Sequence, residues 1–230
     1  MNAAIAALTG IVAGVLHVVS GPDHLAAVLP FAVSKPRRSL QVGLFWGVGH
    51  GLGVVVLGAL FFAVGRAAWV HEVSHGAEVL VGLLLVGLGI WALRRSRKVV
   101  IHTHAHAHAH EGSDHAHPHV HLGDPTVSDA RHAEIGRHDR HHHSTLGFGF
   151  VHGVAGVGHL LAAGPILALS GPSALAYLIS YLLGGVAAMM VFALVAGSMV
   201  RKPQWIPAGL AASGVASMAI GLVWIGNSFV

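Results

Sequence analysis

His17, Asp23 and His24 lie within the eight residues "HVVSGPDH" (17–24), inside a run that otherwise has the apolar character of a membrane span. Groups able to carry charge are costly at membrane depth, where they mark ion paths and binding sites. His17 and His24 are two helical turns apart and share a face. Asp23 points elsewhere on a regular helix. Unwinding at Gly21-Pro22 brings Asp23 to both imidazoles and frees backbone carbonyls as further ligands. His50 stands mid-span in "GVGHGLG" (47–53), where Gly47, Gly49, Gly51 and Gly53 let neighbouring helices approach closely. His152 and His159 repeat the seven-residue spacing. Five imidazoles and one carboxylate offer nitrogen and oxygen without sulfur, a donor set suited to Ni(II), Co(II) or Zn(II) rather than Cu(I). A lone intramembrane histidine commonly just hydrogen-bonds a neighbouring helix; five of them with a carboxylate that needs compensation argue for a metal site.

Two further histidine features surround this set. Segment 99–144 holds 14 of the 21 histidines, among them His102, His104, His106, His108 and His110 in "HTHAHAHAH". Such a tract chelates metal loosely and builds no packed core, so it is expected to be disordered and to buffer metal rather than transport it. "HEVSH" (71–75) matches the H-E-x-x-H zinc protease pattern. It is expected on the loop entering the third span, and no later span supplies an acidic third ligand, so it reads as a decoy.

The elements that must position these residues follow from composition. The 230 residues are 54% apolar and 10% charged, against about 25% charged in soluble domains. The expectation is an all-α integral membrane protein. Cysteine is absent, which removes disulfides and thiolate sites. The basic residues flank apolar runs, so they set orientation and do not imply nucleic-acid binding. "MNAAIAALTG" has no basic stretch of a signal peptide, and the first span is expected to be retained. Spans of about 20 residues are expected at 3–33, 40–65, 76–94, 145–170, 174–199 and 204–227. The domains are then a first three-helix repeat (1–98), a His-rich loop (99–144) and a second three-helix repeat (145–230). Of 13 Lys and Arg, only Arg66 falls on the far side of a six-span topology, which puts the loop in the cytoplasm and both termini outside it.

"HVVSGPDHLAAVLP" (17–30) aligns without gaps on "HGVAGVGHLLAAGP" (152–165), an offset of 135 residues and three spans. An odd number of spans per copy makes this an inverted-topology repeat, the construction of many transporters, with the site between the halves. "WGVGHG" (46–51) falls more weakly over "YLLGGV" (181–186). Gly158 replaces Asp23 and Gly185 replaces His50, so the chemistry is concentrated in the first copy.

"HVVSGPDHLAA", "WGVGHGLG" and "HGVAGVGHLLA", with a His-rich loop between them, resemble the NicO/UreH-like branch of nickel/cobalt transporters, related to RcnA-like exporters and nickel/cobalt permeases. The permeases carry His-x4-Asp-His; here His17 and Asp23-His24 have one residue more between them. The resemblance implies transport of Ni2+ or Co2+ as substrate across the inner membrane, with no enzymatic activity and no permanently bound cofactor. It also implies nickel-enzyme maturation proteins as partners beside the metal ions and membrane lipid. Uptake is favoured over efflux, and oligomeric state is open. A haem protein with axial histidine pairs is the alternative from another class.

Overall fold

The first helix starts at Asn2, whose side-chain oxygen accepts from the Ile5 N–H at 2.9 Å and caps α1 (Ala3–Ser20). Gly21 then turns extended (φ −89°, ψ 99°), and Pro22 opens α2 (Pro22–Ser34), where its fixed φ suits the first helical turn. The break or kink expected at Gly21-Pro22 is a complete break between two helices. Within α2, Pro30 removes the donor that would satisfy the Ala26 carbonyl. The Ser217 hydroxyl donates to that carbonyl from another helix, at 2.8 Å. Lys35 ends α2 ahead of Pro36, and a short 3-10 turn (Pro36–Arg38) leads to α3 (Ser39–Val64).

The computed structural model describes residues 2–64, 70–106, 115–122, 141–155, 168–169 and 171–228. The remaining elements are α4 (Val70–Ser96), β1 (Val99–His106), β2 (His115–Leu122), α5 (His141–Ala155), α6 (Gly171–Met199) and α7 (Ile206–Asn227). Among the described residues, five helical stretches are long and apolar enough to cross a membrane: Ala3–Ser20, Pro36–Ala59, Glu78–Ser96, Gly171–Met199 and Pro203–Asn227. The expected fourth span is described as helix only through Ala155. Large apolar side chains face outward, with Leu8 64% and Leu183 62% exposed, while Asp23, His24, His50 and His152 are buried. That inside-out distribution is the one a lipid surround favours.

Three expectations are corrected. β1 and β2 pair as an antiparallel hairpin from Val99↔Leu122 to His106↔His115, so part of the His-rich segment has regular structure. Its residues alternate with period two and include Val99, Val100, Ile101, Thr103 and Val120, which favour a strand. In addition, α4 begins at Val70, so His71, Glu72 and His75 lie within a helix and not on a loop. The expected loop also gives up His141–Ser144 to the first turn of α5.

Helices pack in three close pairs, α1 with α6, α3 with α5, and α4 with α7. Gly14 lies against the Tyr181 carbonyl and Gly149 against the Trp46 carbonyl, so α1 runs parallel to α6 as α3 does to α5. Gly82 and Gly221 face one another, as do Gly89 and Gly214, which makes α4 and α7 antiparallel. A side chain at these points would collide with backbone, which is why small residues line such crossings. Gly43 against Met189 and Gly47 against Val186 run α3 antiparallel to α6. Gly197 against Ser39, and Arg95 beside Lys35, gather the basic stretches at one end of the bundle.

Candidate metal centre

The break at Gly21 decides the geometry. By ending α1 and restarting the chain as α2, it turns Asp23 and His24 inward beside His17 instead of around a continuous helix. A Cβ at position 21 would fall on the His24 ring, so this corner has room only for glycine. The rings of His17 and His24 lie 4.7 Å apart, centre to centre. His50 from α3 is 5.9 Å from His17 and 4.9 Å from His24. His152 from α5 is 4.9 Å from His24 and 5.7 Å from His50.

The carboxylate is held between two imidazoles. Asp23 Oδ1 lies 3.1 Å from His24 Nδ1, and Oδ2 lies 3.2 Å from His152 Nε2. Two adjoining triads result, His17/His24/His50 and Asp23/His24/His152. In each, one ligand atom per residue falls within 4.8 Å of the others. His24 belongs to both. A cavity of about 10 Å³ beside His17, His50 and Tyr181 has room for one water-sized body and not for a hydrated metal ion. His50 stands eleven residues into α3, about 17 Å from its start and near the middle of the apolar stretch Pro36–Ala59.

Comparison with known proteins adds a partial kinship. Chloroplast protein FOR GROWTH AND FERTILITY 2 of Arabidopsis thaliana is 30% identical over 238 residues, covering 97% of this chain and 56% of that protein. Chloroplast protein FOR GROWTH AND FERTILITY 1 of the same plant is 36% identical over 94 residues, 40% of this chain and 26% of that one. Urease accessory protein UreH of Bacillus sp. (strain TB-90) is 32% identical over 96 residues, 41% of each chain. The chain thus spans from about a quarter to just over half the length of these relatives. No family model matches it. No solved structure matches it either. The chain has partial homology to UreH, which supports a loose NicO/UreH-like grouping and nothing narrower.

Of the six intramembrane residues singled out from sequence, the structure brings five together: His17, Asp23, His24, His50 and His152. His159 lies outside the described residues, as do His108 and His110. In the hairpin, the backbone register sets His102 opposite His119, His104 opposite His117 and His106 opposite His115. They stand apart in sequence and element from the buried cluster.

Sequence reasoning missed the aromatic neighbours. Trp46 lies 5.9 Å from His152, and Tyr181 lies 5.9 Å from His17. The 135-residue offset relates Trp46 to Tyr181 and His17 to His152, so each contact is the counterpart of the other. Tyr181 Oη and Trp46 Nε1 are buried with no hydrogen-bond partner among the described residues. The weak match of "WGVGHG" to "YLLGGV" already aligned the two positions. Toward the basic end, Phe31 contacts Trp46, Trp91 and Phe148, with ring centres 5.9, 5.2 and 5.5 Å apart.

Proposed function

We propose that the protein transports a divalent transition-metal ion, nickel first and cobalt second, through the His/Asp cluster. The observation that carries this reading is the gathering of four imidazoles and one carboxylate in two triads sharing His24, with His17 half-buried and the other four residues buried. Imidazole and carboxylate replace the water that the ion sheds, and Asp23 offsets part of its charge. Three ligands per triad bind firmly enough to strip water and loosely enough to release, and His24 hands the ion from one triad to the other. Tyr181 and Trp46 supply hydrogen bonds to a water carried with it. Partial homology to a urease accessory protein supports nickel, urease being a nickel enzyme.

The same reading takes the chain as six crossings in two inverted three-helix halves, 1–98 and 145–230, in the inner membrane. It is supported by the way the packing maps onto itself under the 135-residue offset. Gly14 against Tyr181 corresponds to Gly149 against Trp46, and Gly49 against Leu146 corresponds to Gly184 against Ile11. The Phe31, Trp46, Trp91 and Phe148 rings then close the site toward the cytoplasm. The histidines of 99–144 buffer metal there, and both termini face away from it. No nucleotide-binding motif is present in the sequence, so an ion gradient, the membrane potential or a partner drives transport.

The test is radiolabelled nickel flux into proteoliposomes and nickel content of expressing cells. Asp23→Asn and His24→Ala are each expected to lower nickel affinity by at least about 10–100-fold, the cost of losing even an outer-shell partner of a metal ligand. Cell nickel rises on expression if the protein imports, and falls with a gain of nickel resistance if it exports. Unchanged flux in both variants overturns the site.

A further inference from the structure

The hairpin of the His-rich segment carries a regularity that loose chelation does not use. Its strands pair residue for residue, from Val99 with Leu122 to His106 with His115. In such a ribbon directly opposed residues share a face, and successive residues alternate between faces. One face therefore sets His102 opposite His119, His104 opposite His117 and His106 opposite His115, on alternate rungs. His121, opposite Val100, belongs to the same face. The other face holds no histidine, its rungs running from Val99 with Leu122 to Ala105 with Ala116. That second face meets the bundle: Val99 is half-buried and packs against the cluster of Val33, Ala92, Val200, Ile206 and Leu210. β2 also lies against the turn Pro203–Trp205. The imidazoles are thus sorted onto one face of a seated ribbon, which a histidine-rich composition alone does not require.

We propose that the histidine face is a metal ladder, in which two neighbouring rungs hold one divalent transition-metal ion on four imidazoles. Directly opposed residues have Cβ atoms about 4.5–5.5 Å apart, and rungs of one face follow about every 7 Å. Imidazoles at that spacing reach a shared ion at nitrogen–metal distances of about 2.0–2.1 Å. Nitrogen donors alone suit nickel, zinc or copper(II). The middle rung, His104 with His117, neighbours both of the others and so belongs to either site that these three rungs can build. A two-stranded ribbon is marginally stable alone in water. An ion bonded to both strands therefore stabilises the pairing by binding only the paired form. This assignment goes beyond buffering by a loose tract, because it gives the ion a defined address. It rests on strand register and not on the buried cluster as a transport path.

The experiment titrates the purified full chain in detergent with nickel, reading calorimetric binding and amide hydrogen exchange across 99–122. In the unaltered chain nickel is expected to slow exchange in both strands, as ordering of a local element does. His104→Ala with His117→Ala removes the middle rung and leaves the apolar face as it is. It is expected to weaken the ladder's nickel binding by at least about tenfold and to abolish the slowing. His132→Ala with His138→Ala takes the same number of imidazoles from the tract outside the strands and is expected to preserve both effects. Exchange in each variant is compared with that variant's own metal-free state, so a loosened hairpin is not mistaken for a lost site. Equal losses in the two variants mean loose chelation and overturn the ladder. Nickel that leaves strand exchange unchanged in the unaltered chain overturns it as well.

Discussion

A carboxylate buried among helices stays compatible with the fold only while each of its oxygens has a suitable neighbour. Asp23 has two, His24 on Oδ1 and His152 on Oδ2. His152→Leu strips Oδ2 of its imidazole and leaves the buried carboxylate held by His24 alone, a loss of roughly 3 kcal/mol. Adding Asp23→Asn removes the charge and is expected to restore much of that stability while nickel transport stays lost. Unfolding in detergent, read beside flux, checks both; a His152→Leu protein as stable as the wild type would sink the argument. The histidines and Asp23 were readable from sequence because imidazole and carboxylate are conspicuous in an apolar run. Trp46 and Tyr181 were not, since an aromatic ring at membrane depth looks the same whether it packs against lipid or against a ligand.

Helix crossings are where small residues act, and their effects are position-specific. At Gly153 a Cβ would strike the His50 carbonyl, whereas at Gly147, on the same helix, it meets open space. Gly153→Ala is therefore expected to push α5 off α3, lowering the melting temperature and separating His152 from His50. Gly147→Ala should be silent or slightly stabilising, because alanine suits a helix better. Equal melting of the two variants contradicts the crossing. Ser217→Ala tests the other device of this scale. It leaves the Ala26 carbonyl freed by Pro30 without its donor and should cost about 1–2 kcal/mol. Chain pattern located α3, α6 and α7 to within a few residues because apolar length dominates a membrane sequence. It gave no sign that α4 starts at Val70, since "HEVSH" is polar enough to pass for a loop. The hairpin was hidden for another reason: a His-rich composition suggested disorder, while its period-two alternation carried the opposite signal.

The whole molecule is tested by which side each end faces. A chain without cysteine gives single engineered thiols an unambiguous readout. Asn2→Cys and Asn227→Cys should react with a membrane-impermeant thiol reagent in intact cells, while Lys98→Cys and Lys202→Cys should react only after permeabilisation. Labelling of the two ends on opposite sides contradicts an even number of crossings. The pairing of helices bears on how such a molecule can move. In α1·α6, α3·α5 and α4·α7 one helix comes from before the His-rich segment and one from after it, and their backbones touch at glycine. The two halves are in effect buttoned together three times, so swinging one half against the other would undo the tightest seams of the bundle. Among the described α-helices, α2 stays outside those seams, a short rod between the Gly21 corner and the Pro36–Arg38 turn. It carries Asp23 and His24 near one end and Phe31 near the other. On the proposed reading of the cluster as a metal site, a small roll of that rod would slacken its hold on the ion and lift the aromatic cover in one stroke, with the paired helices standing still as its bearing.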